Sequence, residues 1–310
     1  MSNPQLSIVV PVFNSSSILP GLYRRISDSL HAISHEVILV NDGSADSSWE
    51  TIETLAADNR NILAVDLVKN SGQDNAILAG LRQVSGNFVV IIDDDLQHAP
   101  EDIPALYEKC LGGYDAVYGV YDNPRHNVLK KAGSRFNGAV ARWLLNKPKN
   151  LYLSPFKIIR RNIVDEIARF CGPYPYIDGI LLTITGNISH VKVEHYQRLA
   201  GKGNYNFYRS VSVFFRLFSG FSVAPLRIMT LAGLIIMLIG AGLILYYLYE
   251  HFILKDIVEG WTTIVVLIIF FGGITIMLLG LIGEYLGRIY LTLNNKPQYT
   301  IKKIIKNSDD

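Results

Sequence analysis

The chain has 310 residues, which is enough for one large domain or two smaller ones. Its formal net charge is only +2, so composition gives no reason to expect nucleic-acid binding. The two cysteines, Cys110 and Cys171, lie far apart, so neither a disulfide framework nor a cysteine metal site is predicted, which suits a reducing compartment.

Strands and helices alternate at short intervals along the first 120 residues. Apolar runs predict strands over residues 6–12, 36–40, 62–67, 88–92 and 115–120. Helical spacing follows at 15–32, where Ser15 to Ser17 can provide the N-cap, and again at 47–59 and 74–84. This alternation predicts an α/β head domain with a mostly parallel sheet.

Three consecutive aspartates, Asp93, Asp94 and Asp95, follow the fourth predicted strand. Ligands of open α/β sheets bind beyond the carboxyl ends of the strands, and three carboxylates there repel one another unless a cation or a proton offsets their charge. One interpretation is a site for Mg²⁺ or Mn²⁺, which prefer carboxylate oxygens, holding a diphosphate. The other is an acidic turn without metal, and the triplet alone does not decide between them.

Polar residues also follow the neighbouring predicted strands. Asp42 lies in Asn-Asp-Gly-Ser at 41–44, and Gly72 ends Lys-Asn-Ser-Gly at 69–72. In a parallel sheet such junctions share one edge and can converge on one pocket. Each alone is typical of a simple turn, so the predicted pocket depends on their coincidence.

The chain becomes strongly apolar after residue 225. Uncharged stretches at 228–249 and 262–281 are each about 20 residues long, enough to cross a bilayer core as a helix. The loop at 250–260 is mainly acidic, whereas lysines and arginines flank the stretches on their outer sides. The positive-inside rule therefore places both termini in the cytoplasm. The N-terminus leads directly into a strand, so no signal peptide is predicted.

These features predict four parts. A head domain occupies 1–204, and a juxtamembrane amphipathic segment occupies 205–224. Aromatic residues and leucine are mixed there with Arg209 and Arg216, which favours an interfacial helix over a buried connector. Two membrane helices, at about 228–249 and 262–285, lie within 225–286, and a basic cytoplasmic tail covers 287–310.

Several motifs together resemble family 2 glycosyltransferases with the GT-A fold. They are IVVPVFN at 8–14, VNDGSAD at 40–46, KNSG at 69–72 and DDDLQ at 93–97. RLAGKGNY at 198–205, PLR at 225–227 and GLIGEYLGRIY at 280–290 narrow the resemblance to the polyprenyl-phosphate glycosyltransferases, which include bactoprenol glucosyltransferases and dolichol-phosphate mannose synthases. The resemblance covers nearly the whole chain except about 121–185, and it is not specific to one sugar.

The resemblance implies a role for each matching residue. The nucleotide-binding residues would be Pro11, Asn14, Asp42, Lys69, Gly72, Asp93 and Asp94. Asp93, Asp95 and Gln97 would hold Mg²⁺ or Mn²⁺. The residues that would bind the acceptor phosphate or the diphosphate are Arg125, Lys131, Lys157, Arg198 and Lys202. The catalytic candidates are Asp95, Asp178 and Lys202. Because residues alternate in an extended chain, Asp93 and Asp95 can face the metal while Asp94 points away.

The chain departs from the family pattern at four places, one of them Lys202, which follows Gly201 where the family usually has an acid. Tyr121 stands where the family often has arginine, Lys157 replaces another arginine, and the acid often proposed as catalytic base near 151–157 is missing. A phosphate acceptor does not need that base, because its second pKa is about 6 and it is already charged at pH 7. Asp178 is the remaining base candidate, although it also suits the N-cap of a helix over 179–185.

The sequence thus predicts a membrane-anchored inverting glycosyltransferase. It would move a sugar from a nucleotide donor, a UDP-hexose by preference, to undecaprenyl phosphate at the cytoplasmic face of the inner membrane. The resemblance also implies a homo-oligomer. The alternatives are a processive polysaccharide synthase, for which two spans are few, and a catalytically inactive membrane scaffold.

Overall fold

The computed structural model describes residues 4–121, 152–172, 174–193, 260–294 and 297–306, and part of 231–249. Within these residues, eight strands form one sheet in the order β7-β5-β6-β4-β1-β2-β3-β8. The strands are β1 Leu6–Val12, β2 His35–Asn41, β3 Ile62–Leu67, β4 Phe88–Ile91, β5 Ala116–Val120, β6 Lys157–Arg160, β7 Ile188–Lys192 and β8 Ile301–Lys306. The helices that flank or follow them are α1 Leu19–Ser29, α2 Ser48–Asp58, α3 Gln73–Leu81, α4 Ile103–Leu111, α5 Arg161–Ala168, α6 Ile177–Ile184, α7 Leu231–Gly240 and α8 Trp261–Leu293, with a 3₁₀ turn at Pro100–Asp102 before α4.

The sheet is mostly parallel because short helical crossovers join its central strands. β4, β1, β2 and β3 run parallel, whereas β6 and β8 are antiparallel to their neighbours. All seven residues of β1 are buried, as expected for a strand covered by helices on both faces. The predicted α/β head with a mostly parallel sheet is therefore confirmed.

The predicted cap of α1 is wrong. The helix begins at Leu19 with Ile18 at its N-cap, and no side chain caps it. Ser15 instead contacts the start of α2, where its backbone N donates to Ser48 Oγ at 2.9 Å. A local pattern cannot show this, because the bond links positions 33 residues apart.

The predicted basic tail at 287–310 is also corrected by the structure. Residues up to Leu293 continue the preceding helix, and β8 then pairs antiparallel with β3 in the head sheet. Gln298 and Tyr299 reach the guanidinium of Arg82, which donates to Tyr299 Oη at 2.8 Å. Alternating lysines resemble a charged tail in sequence, but they are also typical of an edge strand. The compact head therefore includes residues near the C-terminus.

A second compact unit comprises residues 208–294. Within its described part, one helix is long and apolar enough to cross a membrane, at Phe270–Leu293 of α8, and α7 is a shorter apolar helix. α8 has 33 residues and is longer than the predicted span. The juxtamembrane segment predicted at 205–224 lies outside the described residues.

Candidate active site

The aspartate triplet lies where β4 ends, at the carboxyl edge of the sheet. Asp93 Oδ1 accepts a hydrogen bond from Gln73 Nε2 at 2.6 Å, whereas Asp94 Oδ2 accepts one from the backbone N of Phe13 at 3.1 Å. Asp94 is thus directed to the loop after β1, and Asp93 to the start of α3. Gln73 had no signal in the sequence that distinguished it from other residues of a helix start.

The other two members of the predicted metal set lie next to one another. Asp95 Oδ1 accepts a hydrogen bond from the backbone N of Gln97 at 3.1 Å. Leu96 between them has a φ of 57°, which turns the chain sharply after the triplet. The turn keeps Asp95 and Gln97 at the edge of the sheet.

Asp93 carries the strongest electrostatic signal at this edge. Burial, followed by the charges of Asp95 and Asp94, raises its pKa from 3.8 to about 7. The charge of Lys157 and the hydrogen bond from Gln73 oppose the rise. The ionised triplet is therefore a place where added positive charge is favourable.

We expect this shift to appear as a pH-dependent stability difference in metal-free protein. A carboxyl whose pKa is raised in the folded state stabilises it below pH 3.8, and that contribution is lost as pH rises through about 7. Asp93→Asn in EDTA should therefore gain stability relative to the unsubstituted protein between pH 4 and 8. Thermal unfolding at intervals of pH measures the difference, and a difference that does not change with pH would contradict the raised pKa.

Lys157 and Asp178 form a buried ion pair beside the triplet. Lys157 Nζ donates to Asp178 Oδ1, and Tyr118 Oη donates to the same oxygen at 2.7 Å. Burial and the Asp178 charge hold the pKa of Tyr118 well above its usual value. Lys157 lies on β6, which pairs with β4 on one side and β5 on the other. Its ammonium contacts Asp178, and its charge lowers the pKa of Asp93.

The alternative role of Asp178 as a helix N-cap is wrong. Tyr176 occupies the N-cap of α6, and Asp178 sits in the first turn with its side chain in the ion pair. Its Oδ1 already accepts hydrogen bonds from the Lys157 ammonium and the Tyr118 phenol. The arrangement is better suited to holding Lys157 in place than to general-base catalysis.

Asp42 links the loop after β2 to the loop after β3 through hydrogen bonds. It is buried, and its oxygens accept hydrogen bonds from the backbone N of Ser71 at 2.6 Å and of Gly72 at 3.0 Å. Burial raises its pKa, and these two bonds partly offset the rise. Gly43 has a φ of 63°, and a Cβ there would lie 2.4 Å from the backbone N of Asn70. The loops after β2 and β3 therefore touch at backbone level.

Asn14 joins the loop after β1 to the same structure. With a φ of 54°, its Oδ1 accepts from the backbone N of Ala45 at 2.8 Å and its own N donates to Ser44 Oγ at 3.0 Å. Pro11 is buried within β1, and Lys69 is exposed after β3. Phe13, which the motif contained but sequence reasoning did not select, is 48% exposed beside Asp94.

The structure thus brings the nucleotide and metal candidates to one edge of the sheet. They are Asn14, Asp42, Gly72, Asp93, Asp94, Asp95 and Gln97, with Lys157 next to them. Arg125, Lys131, Arg198 and Lys202 lie outside the described residues. Tyr121, at the family's arginine position, packs edge-on against Tyr152, and the two hydroxyls lie 3.1 Å apart.

A divalent cation suits the residues at this edge. Among the described residues, no group of three His, Cys, Asp or Glu side chains is placed to coordinate a metal ion by itself. Mg²⁺ commonly binds one or two carboxylates and takes its other ligands from phosphates and water. Asp93, whose pKa is raised, and Asp95 would provide the one or two protein carboxylates that such a site needs.

Comparisons with known proteins agree with this architecture. The family model "Glycosyl transferase family 2" matches residues 7–172, and the model "GtrB C-terminal hairpin" matches 224–289. An undecaprenyl-phosphate 4-deoxy-4-formamido-L-arabinose transferase of Klebsiella pneumoniae (strain 342) is 31% identical over 97% of this chain and 94% of its own length. The protein of that name in Pectobacterium atrosepticum is 33% identical over 97% of this chain and 93% of its own.

Solved structures show the same fold at lower identity. Glucosyl-3-phosphoglycerate synthase from Mycobacterium tuberculosis, in complex with Mn²⁺, UDP and phosphoglyceric acid, has a TM-score of 0.53 at 20% identity and covers 70% of this chain and 76% of its own. A mannosyltransferase from Pyrobaculum calidifontis with GDP-Man and Mn²⁺ has a TM-score of 0.52 at 15% identity, covering 71% of this chain and 64% of its own. At these identities the likeness concerns the fold.

Proposed function

The chain belongs to glycosyltransferase family 2, and from this we propose that it transfers one sugar from a UDP-sugar to undecaprenyl phosphate with inversion at the anomeric carbon. The enzyme class is established by the family and by relatives that match 97% of the chain. The donor, the metal and the membrane face are the parts that we infer.

The observation that carries the proposal is the half-buried Asp93 beside its acidic neighbours and within the field of Lys157. Its pKa of about 7 marks a site that favours a positive charge. The site lies at the strand ends, next to the loops that contain Asn14 and Asp42. A nucleoside diphosphate on that edge would place its phosphates over the triplet, as ligands of parallel sheets commonly do.

Asp93 and Asp95 are the residues that would hold Mg²⁺ or Mn²⁺, with Gln97 next to them. When bound there, the metal would supply Lewis-acid stabilisation of the negative charge on the departing diphosphate. Lys157 is held close by Asp178 and adds a fixed positive charge near the same phosphates. Asp94 accepts a hydrogen bond from the backbone N of Phe13 and so holds the loop after β1. The exposed ring of Phe13 would provide a surface on which a nucleobase can stack.

The acceptor supplies its own nucleophile. A phosphate oxygen of undecaprenyl phosphate attacks the anomeric carbon from the side opposite the diphosphate, and the bond from that carbon to UDP breaks. Because the phosphate is already ionised at neutral pH, no residue has to remove a proton. Arg125, Lys131, Arg198 and Lys202 remain the proposed residues that align the two anions.

The C-terminal strand supports a two-span membrane topology. β8 belongs to the head sheet, so the chain must return to the side from which it left, which requires an even number of crossings. We infer spans at about 228–249 and within α8. By the positive-inside rule the head and both termini lie in the cytoplasm and the loop at 250–260 lies outside.

We also propose that the protein is a homo-oligomer, because the family that it resembles suggests one.

We expect the Lys255→Cys variant to report this topology. A maleimide that cannot cross membranes should label the introduced thiol in intact cells, because the 250–260 loop is predicted to lie outside. Cys171 is exposed in the head and provides an internal control that should react only after the cells are opened. Labelling at both positions, or at neither, in intact cells would contradict the assignment.

A direct assay tests the function. Detergent-purified protein with Mn²⁺, undecaprenyl phosphate and radiolabelled UDP-sugars should produce an organic-soluble product with one acceptable donor. The donor panel includes UDP-hexoses and the UDP form of 4-deoxy-4-formamido-L-arabinose, the sugar in the names of the relatives. A water-soluble polymer would favour a processive synthase. No transfer with any donor, together with no nucleotide binding, would favour the scaffold.

A further inference from the structure

A buried acid, Asp66, lies on β3 beneath the predicted nucleotide loops. It is 2% exposed, and its Oδ1 accepts a hydrogen bond from Asn41 Nδ2 at 2.7 Å. Its Oδ2 lies 3.1 Å from Lys302 Nζ on β8. A carboxylate removed from water needs such a cation, because loss of one partner leaves an uncompensated buried charge.

A β-bulge directs Lys302 to this acid. The pairing of β3 with β8 passes from Leu67–Ile301 to Asp66–Lys303, so Lys302 is the additional residue of the C-terminal strand. Bulges of this kind re-aim a side chain at one point of an otherwise regular ladder. The neighbouring Lys303 instead pairs with Glu53 on the surface of α2 at 2.7 Å.

Hydrogen bonds continue from Asp66 into the loops that bear the nucleotide candidates. Asn41 Nδ2 is bound to Asp66, and Asn41 Oδ1 accepts from the backbone N of Ser44 at 3.2 Å. Ser44 Oγ in turn accepts from the backbone N of Asn14 at 3.0 Å. Both functional groups of the Asn41 amide are therefore engaged, and its orientation depends on Asp66 being an acceptor.

We propose that Lys302 is a positioning residue for the donor-nucleotide site. Lys302 pairs with Asp66 and holds its carboxylate in place. Asp66 in turn orients Asn41, and Asn41 holds the loop of Ser44 against Asn14. The C-terminal strand, which follows the membrane segment, is thereby part of the donor site without touching the donor. This inference rests on the proposed function, because it requires that a nucleotide bind at these loops.

The test compares Lys302→Met with Lys303→Met, which removes the same charge from the next residue. Calorimetry with UDP and Mn²⁺ should show a Kd about tenfold higher for Lys302→Met, the scale expected when a buried charge loses its partner. The KM for the UDP-sugar should rise likewise, whereas kcat and the KM for undecaprenyl phosphate stay within about twofold. Lys303→Met should match the unsubstituted protein in all four quantities.

Two further variants separate positioning from general damage. Lys302→Arg keeps the cation and should restore most of the UDP affinity. The double variant Lys302→Met/Asp66→Asn buries no charge and keeps an acceptor for Asn41, so it should bind UDP better than Lys302→Met alone.

Three results would overturn the inference. If the unsubstituted protein binds UDP and Lys302→Met binds it equally well, the positioning role is wrong and the proposed function stands. Equal losses in the KM values for donor and acceptor would also overturn it, since they would indicate a general structural role. Absence of nucleoside diphosphate binding in the unsubstituted protein would remove the proposed function and this inference together.

Discussion

The Asp95→Asn variant should lose transfer by about a thousandfold in kcat, the upper range for removing one electrostatic contact to a developing charge. Asp95 is placed next to Asp93 at the strand edge, and the two are the carboxylates that would hold the metal. Asparagine has nearly the same shape, so the loss would reflect the missing charge. The measurements are kcat at saturating donor and the Kd for Mn²⁺, and both should change.

Asp94→Asn is the matched control within the triplet. Asp94 accepts from the backbone N of Phe13, and the amide oxygen of asparagine can accept the same hydrogen bond. We therefore expect less than a tenfold loss and an unchanged Kd for Mn²⁺. Equal losses at Asp94 and Asp95, or full transfer by Asp95→Asn in the presence of EDTA, would contradict the metal assignment.

Lys157→Met should have the second largest effect, on both stability and transfer. The substitution leaves the largely buried Asp178 with the Tyr118 hydrogen bond but without its cation, and we expect a cost of about 3 kcal/mol of unfolding free energy. It also removes the positive charge that opposes the raised pKa of Asp93. We expect kcat to fall by about a hundredfold, as for other electrostatic contacts. Denaturant unfolding of the detergent-solubilised protein measures the first effect, and steady-state kinetics measures the second.

Asp178→Asn separates the ion pair from general-base catalysis. If Asp178 only holds Lys157, its substitution should lower kcat by less than tenfold and leave the pH profile of kcat unchanged, because no proton is transferred to it. A loss as large as that of Lys157→Met, with the acidic limb of the profile abolished, would show that Asp178 is the base. The double variant should be less unstable than the sum of the two single variants, because both ends of one pair are removed.

Local patterns were sufficient for the centre of the head. The strands at 6–12 and 62–67 match the structure at both ends, and the acidic triplet follows β4 as expected. The reason is that a buried parallel strand must be apolar on both faces, which leaves a continuous run in the sequence. The position of polar residues at the carboxyl ends then follows from the parallel alternation alone.

Local sequence patterns could not predict contacts between residues that are distant in the chain. Asp42 appeared to be free for a nucleobase, but it accepts from the backbone of Ser71 and Gly72. Its role in reading a base stays a prediction. Asp178 appeared to be a base or a helix cap, but it pairs with Lys157, 21 residues away. A side chain's function depends on which groups reach it, and periodicity carries no information about that.

Residues 301–306 show most clearly the difference between what local sequence patterns predict and what long-range contacts determine. Residue type and local spacing were enough to predict the family, the α/β alternation, the acidic strand end and apolar stretches long enough to cross a membrane. The folded sheet was needed to show that the basic C-terminal segment is a strand of the head and that Lys302 meets the buried Asp66. That contact joins residues from distant parts of the chain. Asp66 needs a cation because it is buried, and it is buried only once the sheet has formed.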